Sequence, residues 1–217
     1  QITDDALLHS VVHHRKGVKK MEKEIRSAVE NIELRDDKDS DERFIEGYAL
    51  RFGTMSEDLG GFKETITREA LENTDLSDVR ALFNHNADHV LARSSAGTLK
   101  LDVTDEGLKF RAKIPNTTYG NDLMENLRNG NVNQCSFGFC LADNGDEFNY
   151  DEKEGIFKRT LRSIKEIVDV SLVTYPAYKD TSAAPALRSI DKIKKENEAI
   201  EKRNLEKEKL KLELELL

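Results

Sequence analysis

The 217-residue chain is long enough for one domain with a true core plus extensions, and too short for two large domains. Its 37% hydrophobic and 35% charged residues lie on the polar side of globular averages, which places part of the chain in a charged tail. The net charge of −8 argues against nucleic acid as the main partner, because duplex binding needs a basic face to displace counterions. No apolar run reaches the length of a membrane span and no secretory signal pattern is present, so the expectation is an intracellular protein without membrane contact.

The first twenty residues carry His9, His13 and His14, followed by Arg15, Lys16, Lys19 and Lys20. They lack any periodic pattern, so residues 1–24 read as a flexible or appended extension. The domain proper is expected over 25–186. Residues 28–34 alternate and form a candidate first strand, which the charged run 36–42 ends. Residues 44–52 read as a second strand, with Gly47 as a site for a bulge. Thr67 is a candidate N-cap for a short helix to Glu72, and 79–83 is a further strand.

Leu99–Val103, then Asp105-Glu106-Gly107, then 108–114 give the clearest hairpin signal: two alternating runs joined by a short glycine-containing loop. After Pro115, paired threonines are placed to cap a helix carrying Leu123, Met124 and Leu127, with Gly130 as its left-handed stop. The stretch N-Q-C-S-F-G-F-C-L-A at 133–142 then alternates as a half-buried strand, with Cys135, Phe137 and Phe139 on one face and Ser136, Gly138 and Cys140 on the other.

The acidic segment 143–154 reads as a mobile excursion. Strands at 156–164 and 167–174 follow, and Pro176 stops the ladder. With about eight strands and two short helices, the pattern predicts a mainly β (α+β) fold: a largely antiparallel sheet closed into a β-barrel with a few external helices. Beyond Leu187 more than half of the residues are charged, and 187–217 reads as a solvated helical tail.

Ser136 is either a nucleophile with room beside Gly138 or a small polar residue on a solvent face; the nucleophilic reading requires a base beside it. The core histidines lie in F-N-H-N-A-D-H at 83–89. Read as metal ligands, His85 and His89 have the spacing of the zinc-protease helix with Asp88 as a third donor, but Asn86 stands where that motif needs Glu, and the composition is that of a turn. His85 is alternatively a general base for Ser136, given a third group to fix its tautomer. Asp169, isolated between valines, is a candidate for that group or else an exposed strand residue; Glu166 is the fallback. Gly138 amides and Arg93 are candidates for stabilising an oxyanion. Cys135 and Cys140 would point to opposite faces of one strand and read as buried reduced thiols.

The segments F-N-H-N at 83–86, D-E-G-L-K-F at 105–110, S-F-G-F at 136–139 and D-V-S-L-V-T-Y-P-A-Y at 169–178 together resemble the prohead (capsid maturation) protease family of HK97-type tailed bacteriophages, over residues 43–186. The resemblance implies a barrel similar to the herpesvirus assembly proteases and a triad of His85, Ser136 and Asp169. It implies a serine endopeptidase that cleaves the scaffold segment of the major capsid protein, and itself, inside the assembling prohead in the host cytoplasm. It implies no metal or organic cofactor, and homodimerisation by analogy with the herpesvirus enzymes. The alternative is a non-catalytic scaffold or chaperone module for capsid assembly on the same fold.

Overall fold

The computed structural model describes residues 22–28, 32–36, 42–175 and 184–215. The histidine-rich first twenty residues and Pro176 lie outside the described residues. Twelve strands and two α-helices are present among the described residues. In chain order the strands are β1 (Glu24–Ala28), β2 (Glu33–Asp36), β3 (Arg43–Arg51), β4 (Phe62–Ile66), β5 (Arg80–Phe83), β6 (Asn86–Arg93), β7 (Leu99–Val103), β8 (Gly107–Lys113), β9 (Gln134–Leu141), β10 (Asp146–Asp151), β11 (Ile156–Leu161) and β12 (Ile164–Val173). Helix α1 (Thr118–Arg128) precedes β9 and helix α2 (Ala184–Glu215) follows β12.

These strands form three open sheets: β1-β9-β12-β5-β6, β10-β11-β4 and β2-β3-β8-β7. The closed β-barrel expected from the sequence is therefore incorrect; the fold is mixed α+β with sheets that keep free edges. Most strand pairs are antiparallel, but β12 runs parallel to β5 and β11 parallel to β4. Alternation in sequence reports that a strand has a covered face; whether the outermost strands meet depends on shear and tilt, which local pattern does not encode.

Other departures have local causes. The single strand expected over 28–34 is two strands in different sheets, β1 and β2. The acidic segment expected to be mobile contains β10, because its charges find partners on or beside β11: Asp146 with Arg159, Glu147 with Arg162 and Asp151 with Lys158. Thr67 precedes a 3-10 turn (Arg68–Leu71) and makes no side-chain cap bond.

The β7–β8 hairpin forms as its sequence predicts, with Leu99 opposite Ala112 and Val103 opposite Leu108. Thr117 caps α1 by accepting from the Gly120 amide at 3.2 Å, and Gly130 follows the helix at φ 72°. That left-handed conformation costs glycine nothing and a side chain about 1 kcal/mol or more.

The main core lies between the β3-β8 face, contributing Ile45, Leu50, Leu108 and Phe110, and the β9-β12-β5 face, contributing Phe137, Phe139, Val170 and Ala81, with Leu123 and Met124 of α1 sealing it. Phe137 and Phe139 stack at 5.4 Å between centroids, locking β9 in register. A second cluster joins the β4-β11 sheet to the start of α2: Ala186 and Ile190 are buried against Phe62 and Phe157, with Leu187 and Ile193 at its rim. Further along α2, Ile200, Leu205 and Leu210 are exposed.

Candidate active site

Three neighbouring strands of the five-stranded sheet assemble the site. β9, the second strand of that sheet, is buried on both faces, in contrast to the half-buried strand its alternation implies. Ser136 lies opposite Ser171 on β12, and Ser171 lies beside Leu82 of β5. β5 turns into β6 through Asn84-His85, with Phe83 paired to Asn86. Both turn residues are left-handed, φ 52° and 54°, as a two-residue type I′ turn requires and as Asn and His tolerate better than most residues. Asn84 ties this turn to the end of β12: its amide donates to Leu172 O at 2.8 Å and its side-chain oxygen accepts from the Thr174 amide at 2.8 Å. The imidazole is thereby carried to the sheet at a fixed height.

His85 Nε2 stands 2.9 Å from Ser136 Oγ, and Nδ1 stands 2.6 Å from Asp169 Oδ1. A carboxylate facing Nδ1 makes that nitrogen the donor and leaves Nε2 free to accept a hydroxyl proton. The structure thus brings Ser136, His85 and Asp169 together as one hydrogen-bonded chain. Asp169 is not the exposed strand residue of the alternative reading; it is 1% accessible.

Burial is the largest influence on the Asp169 carboxyl and raises its pKa, but the hydrogen bond from His85 and the adjacent Lys23 together outweigh it, and the group stays below its usual range. Lys23 Nζ lies 2.5 Å from Oδ2 as an ion pair without the alignment of a hydrogen bond. Ser171 Oγ donates to Oδ1 at 2.7 Å. Neither contact is legible from the residues taken singly; the signal the sequence carries is that Ser171 shares a strand face with Asp169.

Gly138 sits directly opposite Asp169, and its role here is space. A Cβ there would lie 2.2 Å from Lys23 Cε and 2.6 Å from Asp169 Oδ2. The lysine tail can move aside, but the carboxylate is held at Oδ1 by both His85 and Ser171. Gly138→Ala is expected to displace it from His85 and lower turnover by about 100-fold, the scale of loss for a misplacement of about 1 Å; an unchanged rate with an unchanged circular dichroism spectrum would refute this role.

Arg93 and Glu166 are not brought to Ser136. Arg93 is on the edge strand β6, three strands from β9, and its guanidinium grips both Asp78 carboxylate oxygens at 2.6 and 2.8 Å. Glu166 lies opposite Cys140, toward the other end of β12. His85 and His89 go to different partners: His89 packs against Tyr119 with ring centroids 5.3 Å apart. Among the described residues no group of three His, Cys, Asp or Glu side chains is placed to hold a metal ion. Burial drives the Cys135 thiol up to about 12 and the Cys140 thiol up to about 11, with Glu166 adding to the latter, so neither is a ready thiolate.

A hydroxyl, an imidazole and a buried carboxylate in this order can transfer a proton from oxygen to nitrogen as the oxygen attacks an acyl carbon. Compared with known proteins, residues 30–196 match the family model described as caudovirus prohead serine protease. A solved structure of the bacteriophage T4 capsid assembly protease is similar with a TM-score of 0.46 and 12% identity, covering 70% of this chain and 98% of that one. No curated protein sequence matches the chain.

Proposed function

The chain belongs to the caudovirus prohead serine protease family, and from that premise we propose that Ser136 is the nucleophile, His85 the general base and Asp169 the acid that orients the imidazole. The observation that carries this reading is the pair of contacts on the two nitrogens of His85, 2.9 Å to Ser136 Oγ and 2.6 Å to Asp169 Oδ1. Ser136 Oγ attacks the peptide carbonyl carbon while its proton passes to Nε2. The tetrahedral intermediate collapses, the C–N bond breaks, and the proton leaves with the amine. Water then attacks the acyl-serine ester as His85 takes its proton; the acyl C–Oγ bond breaks, His85 returns the proton to Oγ, and the carboxylic acid product leaves a free hydroxyl. Asp169, kept ionised by His85 and Lys23 against the pull of burial, stabilises the imidazolium at both stages.

The proposed substrates are the scaffold segment of the major capsid protein and the chain itself, cleaved inside the assembling prohead. Ser136→Ala is expected to abolish processing of co-expressed capsid precursor while the unfolding midpoint shifts little. Normal processing by this variant would refute the assignment of the nucleophile.

A further inference from the structure

On the sheet face that carries Ser136, β9 and β12 supply four positions in regular register: Gly138 lies opposite Asp169, and Ser136 lies opposite Ser171. Ser27 of β1 borders Ser136 on its other side. A register shift between Ile167 and Asp169 interrupts β12 immediately before the carboxylate, and irregularities of this kind re-aim side chains beside reactive centres. Asp169 and Ser136 are therefore diagonal neighbours, about 7–8 Å apart in a ladder of this geometry. The His85 imidazole fills that gap, with Asp169 Oδ1 2.6 Å from one nitrogen and Ser136 Oγ 2.9 Å from the other.

Of the two remaining corners, Gly138 has no side chain and Ser171 occupies the last. Ser171 is fully buried, so its hydroxyl needs a partner within the protein. It donates to Asp169 Oδ1 at 2.7 Å, the same oxygen that faces His85.

What this bond supplies is direction. Oδ2 has the Lys23 ammonium 2.5 Å away but no aligned hydrogen-bond partner among the described residues, so the cation attracts the carboxylate without setting its rotation. The terminal torsion of an aspartate is broad and two-fold. With His85 as its one aligned donor, the carboxylate would turn with the ring; a second donor from its own strand ties it to the sheet instead. A hydroxyl donating to a carboxylate also favours the charged form, which keeps the proton between Oδ1 and Nδ1 on the imidazole.

Resting on the assignment of Ser136, His85 and Asp169 above, we infer that Ser171 is a positioning residue of the triad. Its hydroxyl fixes the rotation of the Asp169 carboxylate, and through that carboxylate it holds the His85 ring in line with Ser136. Ser171 takes no part in bond making or breaking, and its effect reaches the reaction only through Asp169.

The test is a double-mutant cycle on the full chain, read by cleavage of a capsid-precursor peptide. Ser171→Ala is expected to lower kcat about tenfold or more, the factor that corresponds to one hydrogen bond to a charged group, and to leave KM unchanged. Ser171→Thr retains the donor in a residue that strands accommodate and restores most of the rate. In an Asp169→Ala background Ser171→Ala costs nothing further, because two residues acting through one contact are not additive whereas independent ones are. Three results overturn the inference and leave the triad standing: a Ser171→Ala rate equal to the parent's, a Ser171→Thr rate as low as that of Ser171→Ala, or the same loss from Ser171→Ala with and without Asp169, which would mean that the hydroxyl acts on the packing of β9 against β12. An Asp169→Ala rate within about tenfold of the parent's removes Asp169 from the triad, where the loss should be orders of magnitude, and the inference falls with it.

Discussion

Asp169→Asn is expected to lower turnover by about four orders of magnitude, the loss this swap causes in other Ser-His-Asp hydrolases, with the fold intact. Asp169 Oδ1 accepts from both His85 and Ser171, while Oδ2 faces the Lys23 ammonium. An amide cannot serve both sides. With its oxygen toward His85, its NH2 meets the ammonium of Lys23. With its NH2 toward His85, Nδ1 becomes an acceptor, the proton moves to Nε2, and the ring can no longer take a proton from Ser136. Single-turnover cleavage of a capsid-precursor peptide, measured beside the thermal unfolding midpoint, separates loss of chemistry from loss of fold. A decrease of less than about tenfold would remove Asp169 from the orienting role.

The largest stability effect is expected at Arg159. Its guanidinium is buried and bound to Glu24, Glu64 and Asp146 at 2.7 to 2.9 Å. Its carboxylate partners outweigh its own desolvation, which on its side opposes the charge, and raise its pKa above the usual arginine value. Arg159→Met leaves two buried carboxylates sharing Arg26, and a cost of about 3–5 kcal/mol is expected from stranding charge in this way. Urea denaturation reads it directly, and a change below about 1 kcal/mol would mean that water reaches these carboxylates. Replacing Glu24, Arg26, Glu64 and Arg159 together by apolar residues of similar volume should recover most of the loss, because the pairs offset little more than their own desolvation.

The same network makes the protein sensitive to acid. Burial raises the Glu24 pKa most, but the hydrogen bonds and charges of Arg159 and Arg26 lower it more, and the folded-state value lies below the ordinary one. Asp169 is depressed likewise. A depressed carboxylate stabilises the fold fully above its unfolded pKa, about 4, and loses that contribution as pH falls through the folded value. Amide exchange in β1 should therefore accelerate below about pH 4 before the rest of the sheet opens; uniform protection down to global unfolding would contradict this.

The reach of the sequence follows the range of the interactions involved. Ser136, His85 and Asp169 were each recognisable because their immediate neighbours are informative: a small-residue strand face, an Asn-rich turn and a run of valines. The β7–β8 hairpin and the α1 caps are likewise local. Ser171, Lys23 and the strand β1 were not legible as parts of the site, since their significance lies in pairings between β1, β9 and β12 that no local pattern encodes. Arg159 looks like any surface cation in the alternating segment Ile156–Leu161, and only the carboxylates arriving from β1 and β4 explain its burial. The acidic segment misled for a related reason: its charges resemble those of a solvated loop until their partners across β10 and β11 are known. Sheet closure failed as an expectation because alternation specifies faces and leaves edges undetermined.

The position of β12 also bears on when catalysis can begin. It is the last strand of the described chain, yet it is inserted between β9 and β5 and separates the serine strand from the strand leading to the histidine turn. The His85–Asp169 contact spans 84 residues and the His85–Ser136 contact 51. Non-local pairings of this kind, one of them parallel, are slow to form. A chain emerging from the ribosome with β1 to β9 complete has a serine and a histidine but no carboxylate and no strand to set their spacing. On the proposed triad, cleavage competence is therefore acquired only after translation has passed residue 173, and a nascent chain that ends before β12 cannot attack its neighbours.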